Sequence, residues 1–150
     1  MHKQVKINDG VLCILINRRK FLLLKRLAIP FIINHGIWSF ITGKLNKKEP
    51  YLSAAYREIE EETKITKNHL VLMMKPFRAR LFDVHNGKQW QNTIFIFYSN
   101  TRKVALNIEN SKFRWSPMED ITNYKEYTNI FCNEKRILKI LSKALTIIKP

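Results

Sequence analysis

Glu58, Glu61 and Glu62 stand at positions i, i+3 and i+4 of the segment Arg57-Glu58-Ile59-Glu60-Glu61-Glu62. On an α-helix that spacing places three carboxylates on one face. Like charges so close weaken a helix by a few tenths of a kcal/mol (roughly) per pair, and Glu60 adds a fourth. The chain carries only 12 acidic residues against 27 basic ones, so such a concentration calls for a compensating cation. Hard divalent ions such as Mg²⁺ take carboxylate oxygens and keep waters that phosphate can replace. A run of glutamates alone would be read as a solvated helix face. Gly43, Glu49 and Arg57, spaced ahead of the run, turn the reading towards a metal site.

The elements around this segment follow from its neighbours. Pro50 is suited to a first helical position, where its missing N–H costs nothing, so a helix is expected from about Tyr51 to Thr63. Leu52, Ala55, Tyr56 and Ile59 would share its apolar face. Upstream, Val11–Ile16 is an apolar run suited to a strand buried on both sides. Phe21–Leu24 and Ile37–Ile41 read as further strands, with a loop over Thr42–Lys48. Downstream, Val71–Met74 and Arg78–Phe82 read as extended, His85–Lys88 as a turn, Thr93–Tyr98 as a core strand and Phe113–Trp115 as a short strand. Ile130, Ile137, Leu138, Leu141, Leu145 and Ile148 recur at helical spacing, which predicts a closing amphipathic helix over about Asn129–Ile147. Strands and helices alternating around one sheet give an α/β class.

Composition bounds the rest. A chain of 150 residues suits a single domain over 1–150. Its apolar runs are far too short to span a membrane, and its start lacks a signal-peptide pattern. Cys13 and Cys132 lack metal-ligand spacing, and Cys13 sits in an apolar run, so a buried free thiol is expected rather than a disulfide. The cytoplasm is the default compartment. The net charge of +15 suits a phosphate-bearing partner, but the lysines are scattered rather than massed, which makes RNA a less favoured partner than a small nucleotide.

Gly43–Ile65 closely resembles the Nudix box, G-x5-E-x7-R-E-U-x-E-E-x-G-U with U aliphatic. Only Lys64 departs from it, in place of the second Gly, and so many matches would coincide by chance roughly once in 10⁸ windows. The chain is similar to the Nudix hydrolase (MutT-like) family. The resemblance implies an α/β/α sandwich with a mixed central sheet and the box as loop-helix-loop. It also implies cleavage of nucleoside diphosphates linked to another moiety, with Mg²⁺ or Mn²⁺. By motif position, Glu58 and Glu62 would be direct metal ligands and Glu61 a ligand or the base that activates water. Arg57, helped by Glu49, would orient the glutamates, and the backbone carbonyl of Thr42 would be a further ligand.

Ile37-Trp38-Ser39-Phe40-Ile41-Thr42-Gly43 resembles the W-x-x-[IV]-T-G variant of the dihydroneopterin triphosphate and dATP pyrophosphohydrolase branch. That branch also carries a metal-binding Glu six residues before a late Trp, as Glu109 stands before Trp115. Thr42 would contact substrate by the same resemblance. Arg26, ending the second strand, is the leading candidate to meet phosphate, with Lys6, Arg78 and Arg80 behind it. Trp38, Phe82, Trp90 and Tyr127 are candidates to stack on a base, whereas His85 is expected to face solvent. The expected activity is hydrolysis of a nucleotide or pterin triphosphate to monophosphate and pyrophosphate. The alternatives are a dinucleoside polyphosphate or capped-RNA hydrolase and a non-catalytic nucleotide-binding module, with oligomeric state left open.

Overall fold

The computed structural model describes residues 7–27, 38–83, 88–123 and 135–147. Strand β1 (Ile7–Asn17) is the spine of the sheet. Side chains alternate between the faces of a strand, so an unbroken apolar run such as Val11–Ile16 needs cover on both sides. All six of those residues are at most 1% exposed. Strand β7 (Lys88–Ser99) runs parallel to β1, in register from Ile7 opposite Gln89 to Ile16 opposite Tyr98.

The other edge of β1 takes two antiparallel partners in succession. Gly10–Cys13 pairs with β4 (Ile41–Lys44), and Ile16–Asn17 pairs with β2 (Lys20–Arg26). Outward from β2 lie β3 (Trp38–Ser39) and β8 (Asn110–Ser116), both antiparallel. The far edge of β7 carries β5 (Leu70–Leu72) and β6 (Phe77–Asp83), again antiparallel. The sheet is therefore mixed, with eight strands.

Helices cover both faces. Leu12, Ile14 and Ile16 of β1 pack with Phe21, Leu23, Ile94 and Ile96 beneath α2 (Met118–Asn123) and α3 (Lys135–Ile147). Their side-chain contacts on the helices are Ile121, Ile137, Leu141, Ala144 and Leu145. Val11, Cys13 and Leu15 pack with Leu22, Leu24, Phe95 and Phe97 beneath Ala54, Ala55 and Ile59 of α1 (Tyr51–Thr63). This is the α/β/α layering that the resemblance implies. Among the described residues no helix is long and apolar enough to cross a membrane.

Several expectations need correction. The strand expected over Ile37–Ile41 is two strands, because the chain changes partner at Phe40, leaving β2 and joining β1. The loop expected from Thr42 starts only after Lys44, since Thr42, Gly43 and Lys44 continue the ladder with β1. Pro50 caps α1 instead of opening it: its backbone is extended at φ −63° and ψ 146°, and its carbonyl accepts the Ala54 N–H at 3.0 Å. Leu52 is 41% exposed, and Ala54 takes its place on the packed face. Helix α2 was not expected, although Ser116-Pro117 and the acidic Glu119 and Asp120 of its first turn mark a helix start. Cys13 is a buried free thiol as expected. Ile37, Cys132, residues 85–87 of the expected turn and the first part of the closing helix lie outside the described residues.

Candidate active site

Helix α1 ends where its sequence must change hand. Lys64 adopts the left-handed conformation, φ 64° and ψ 10°, and its N–H donates to the Glu60 carbonyl at 2.9 Å. A Gly would adopt this geometry without a Cβ penalty. The departure from the box at this position leaves the helix exit geometry intact.

Arg57 organises the first part of the site. Its Nε donates to Glu49 Oε2 at 2.8 Å and its Nη2 to Glu49 Oε1 at 2.9 Å, a bidentate pair. Nη2 also donates to the Lys44 carbonyl at 2.9 Å, which ties the helix to the end of β4. Nη1 reaches Glu58 Oε1 at 2.8 Å and Glu61 Oε2 at 3.3 Å. Glu49 Oε1 accepts in addition the Asn46 N–H at 3.1 Å. The Arg57 guanidinium, with that backbone N–H, holds the Glu49 carboxyl down at about 2.

The glutamates face different surroundings. Glu61 is the most open, with 56% of its side chain exposed. Glu58 is half-buried against β4, where a Cβ on Gly43 would collide with its carboxyl group, so the box Gly is required for close approach. Burial pushes the Glu58 carboxyl up, against the pull of Arg57, and the Glu61 and Glu109 charges push the same way. Glu62 is only 6% exposed and belongs to the packed side of the helix. Its Oε2 has no hydrogen-bond partner. Burial, followed by the charge of Glu58, raises its carboxyl to about 8, while Asn110 and Arg26 pull the other way.

Strand β8 brings in the next group. Asn110 pairs opposite Arg26 across an irregularity in the β2–β8 ladder, and the Leu27 N–H donates to the Glu109 carbonyl at 2.9 Å. Arg26 and Glu109 are thereby both placed to act electrostatically on Glu62. Thr42 lies half-buried on β4 opposite Leu12, next to Gly43.

Other sequence candidates fall elsewhere. Trp38 is 8% exposed within the core, with Lys25 Nζ 5.8 Å and the Arg114 guanidinium 5.0 Å from its ring. Arg80 lies exposed on β6, with β7 and β1 between it and β4. Arg78 on the same strand is engaged with Asp9 at 3.2 Å and Thr93 at 3.3 Å, and it stands over the ring of Tyr51. Trp90 lies under Lys44, whose Nζ is 5.9 Å from the ring centre. Lys6, His85 and Tyr127, and the side chain of Phe82, lie outside the described residues. The contributions of the Lys44 carbonyl, the Asn46 N–H and Asn110 had not been expected. Backbone groups leave no mark in a sequence, and an uncharged Asn beside Glu109 has no periodicity to betray it.

Among the described residues no three His, Cys, Asp or Glu side chains converge into a cage. Mg²⁺ does not need one, because it is commonly held by one or two carboxylates and retains several waters. Glu62 offers an orphaned buried oxygen, and Glu58 stands close enough to raise its proton affinity. A divalent cation between them would supply the missing partner and cancel the repulsion.

The sequence model for the NUDIX domain matches residues 6–133. An RNA pyrophosphohydrolase of Pelagibacter ubique (strain HTCC1062) is 27% identical over 101 residues, 59% of this chain and 64% of that protein. The chain thus spans less than two thirds of that relative. The crystal structure of a MutT protein from Methanosarcina mazei Go1 superposes with a TM-score of 0.73 at 22% identity, over 95% of this chain and 97% of the other. The dihydroneopterin triphosphate pyrophosphohydrolase of E. coli superposes with a TM-score of 0.65 at 17% identity, over 92% and 99%.

Proposed function

The chain belongs to the NUDIX domain family, and from that premise we propose that it is a Mg²⁺-dependent pyrophosphohydrolase. Its substrate would be a nucleoside triphosphate or a related pterin or nucleotide compound, cleaved to a monophosphate and pyrophosphate. The observation that carries the reading is Glu62, buried at 6% exposure with one carboxylate oxygen lacking any partner. A buried carboxylate of that kind costs stability unless something positive meets it. Glu58 and Glu62 would hold the ion, with Glu109 and the Thr42 carbonyl completing its protein ligands; Mn²⁺ could substitute.

When bound, Mg²⁺ would supply charge neutralisation of phosphate oxygens and a lowered pKa for an attacking water. Glu61 is open to solvent and held at one oxygen by Arg57, and would take the proton of the attacking water. The bond from phosphorus to its bridging oxygen breaks, and pyrophosphate leaves. Arg57 fixes Glu58 and Glu61 in relative orientation, and Glu49 keeps the guanidinium from turning away. Arg26 would meet the charge that builds on phosphate. The Thr42 segment and Glu109 favour the dihydroneopterin triphosphate and dATP branch for substrate.

A second reading is hydrolysis at the 5′ end of RNA, favoured by the name of the Pelagibacter relative and by the charge of +15. One panel separates the two. Nucleoside triphosphates, a pterin triphosphate, dinucleoside polyphosphates and 5′-triphosphorylated RNA are each incubated with Mg²⁺ or with EDTA, and products are resolved by chromatography. The first reading expects pyrophosphate from a small triphosphate at the highest kcat/KM. Faster turnover of the RNA would replace it with the second, and metal-independent or absent hydrolysis across the panel would overturn both.

A further inference from the structure

We propose that Asn110 is a positioning residue for the metal site, holding Glu62 so that one carboxylate oxygen stays free for the ion. The inference rests on the proposed metal-binding role of Glu62. Asn110 is itself 7% exposed, so its amide, like the carboxylate it faces, lacks bulk water as a partner. Its Nδ2 donates to Glu62 Oε1 at 3.5 Å and to Asn107 Oδ1 at 3.2 Å. The first contact is long for an N–H···O bond, yet it is the one hydrogen bond to the Glu62 carboxylate among the described residues. The other oxygen, Oε2, has none. One end of the carboxylate is therefore anchored and the other left open, which is the division of labour expected between an orienting partner and a metal ligand.

The anchor is itself braced. Asn107 Oδ1 accepts both the Asn110 amide and the Glu109 N–H, the latter at 3.2 Å. The Asn110 N–H donates back to the Asn107 carbonyl at 3.4 Å, and the Leu27 N–H fixes the Glu109 carbonyl at 2.9 Å. A side-chain carbonyl accepting an N–H two residues ahead is an Asx turn, a compact way to fix chain direction. This turn sets Glu109 and Asn110 side by side at the start of β8, where both act on Glu62. The side-chain amide, more than the strand that bears it, then decides which oxygen of Glu62 is available.

Outer partners of metal ligands commonly contribute 10- to 100-fold (roughly) to metal affinity. The test compares full-length wild type, Asn110→Ala and Asn110→Gln by isothermal titration with Mn²⁺, alongside melting of the metal-free proteins and a Mg²⁺ titration of kcat. Asn110→Ala is expected to weaken Mn²⁺ binding at least about 10-fold. It should raise the Mg²⁺ concentration needed for half-maximal kcat by a similar factor. Asn110→Gln, which keeps the donor, is expected to recover most of the affinity. Wild-type affinity in Asn110→Ala would overturn the proposal. So would equal losses of affinity and melting temperature in both variants, which would leave Asn110 a structural part only. Wild type that binds no Mn²⁺ would instead defeat the metal-site reading, and this inference with it.

Discussion

Three glutamates on one helix form the core of the proposed site, and their environments differ more than their spacing suggests. Glu61 is open, Glu58 is shared with Arg57, and Glu62 is buried with its carboxyl raised to about 8. A group whose folded value is raised contributes stability in full below its unfolded value and loses it as pH rises through the folded one. Without metal, the protein should therefore lose stability between about pH 4.5 and pH 8, on the order of a few kcal/mol. Melting in EDTA should fall over that window, Mg²⁺ should restore it, and Glu62→Gln should flatten the EDTA profile. A profile equally steep in the variant would assign the loss to other groups. Arg57 is a second point of test, because its fork meets Glu49, Glu58, Glu61 and the Lys44 carbonyl together. A lysine offers one compact ammonium and cannot bridge them, so Arg57→Lys should lower kcat/KM at least about 10-fold. Residue types and spacing exposed the five box side chains Glu49, Arg57, Glu58, Glu61 and Glu62. They could not reveal that Glu62 turns inward, because burial depends on β8 arriving from far along the chain.

At the scale of elements, helix α1 formed over the residues expected of it, because capping and periodicity are local signals. Its ends differed in kind. Pro50 supplies an extended cap, and Lys64 is held left-handed at φ 64°. Lys64→Gly should stabilise the fold by about 1 kcal/mol, since Gly pays no Cβ penalty there. Chemical denaturation at neutral pH reads this directly, and an unchanged or lower midpoint would show that the lysine stem contributes packing that offsets the strain. The strand expected over Ile37–Ile41 failed for a non-local reason: Phe40 is where the chain trades one partner strand for another. Alternation of apolar residues continues through such a change, so the sequence carries no trace of it. The same change of partner sets Gly43 beneath Glu58 and the Lys44 carbonyl beside Arg57.

Across the whole molecule, one mixed sheet with helices on both faces holds α1 rigidly over β1, through Ala54, Ala55 and Ile59. The fold class was legible because β1 is apolar on both sides and must be covered twice. The substrate was not, because the aromatic candidates divide between core and surface: Trp38 is packed away, whereas Trp90 lies beside the end of β4. The charge of +15 acts at this scale as well. If RNA is the substrate, log affinity should fall with log salt by about 0.7 per phosphate contacted, measured by fluorescence anisotropy with a 5′-triphosphorylated oligonucleotide. A shallow dependence would fit a small nucleotide held mainly at the metal site. The acidic face of α1 is proposed to be a metal-dependent hydrolytic centre. Its most direct test is kcat of wild type and Glu62→Gln at saturating Mg²⁺ on the best substrate of the panel. A loss of at least about 10² is expected; equal turnover by the two proteins would show that Glu62 holds no ion needed for hydrolysis.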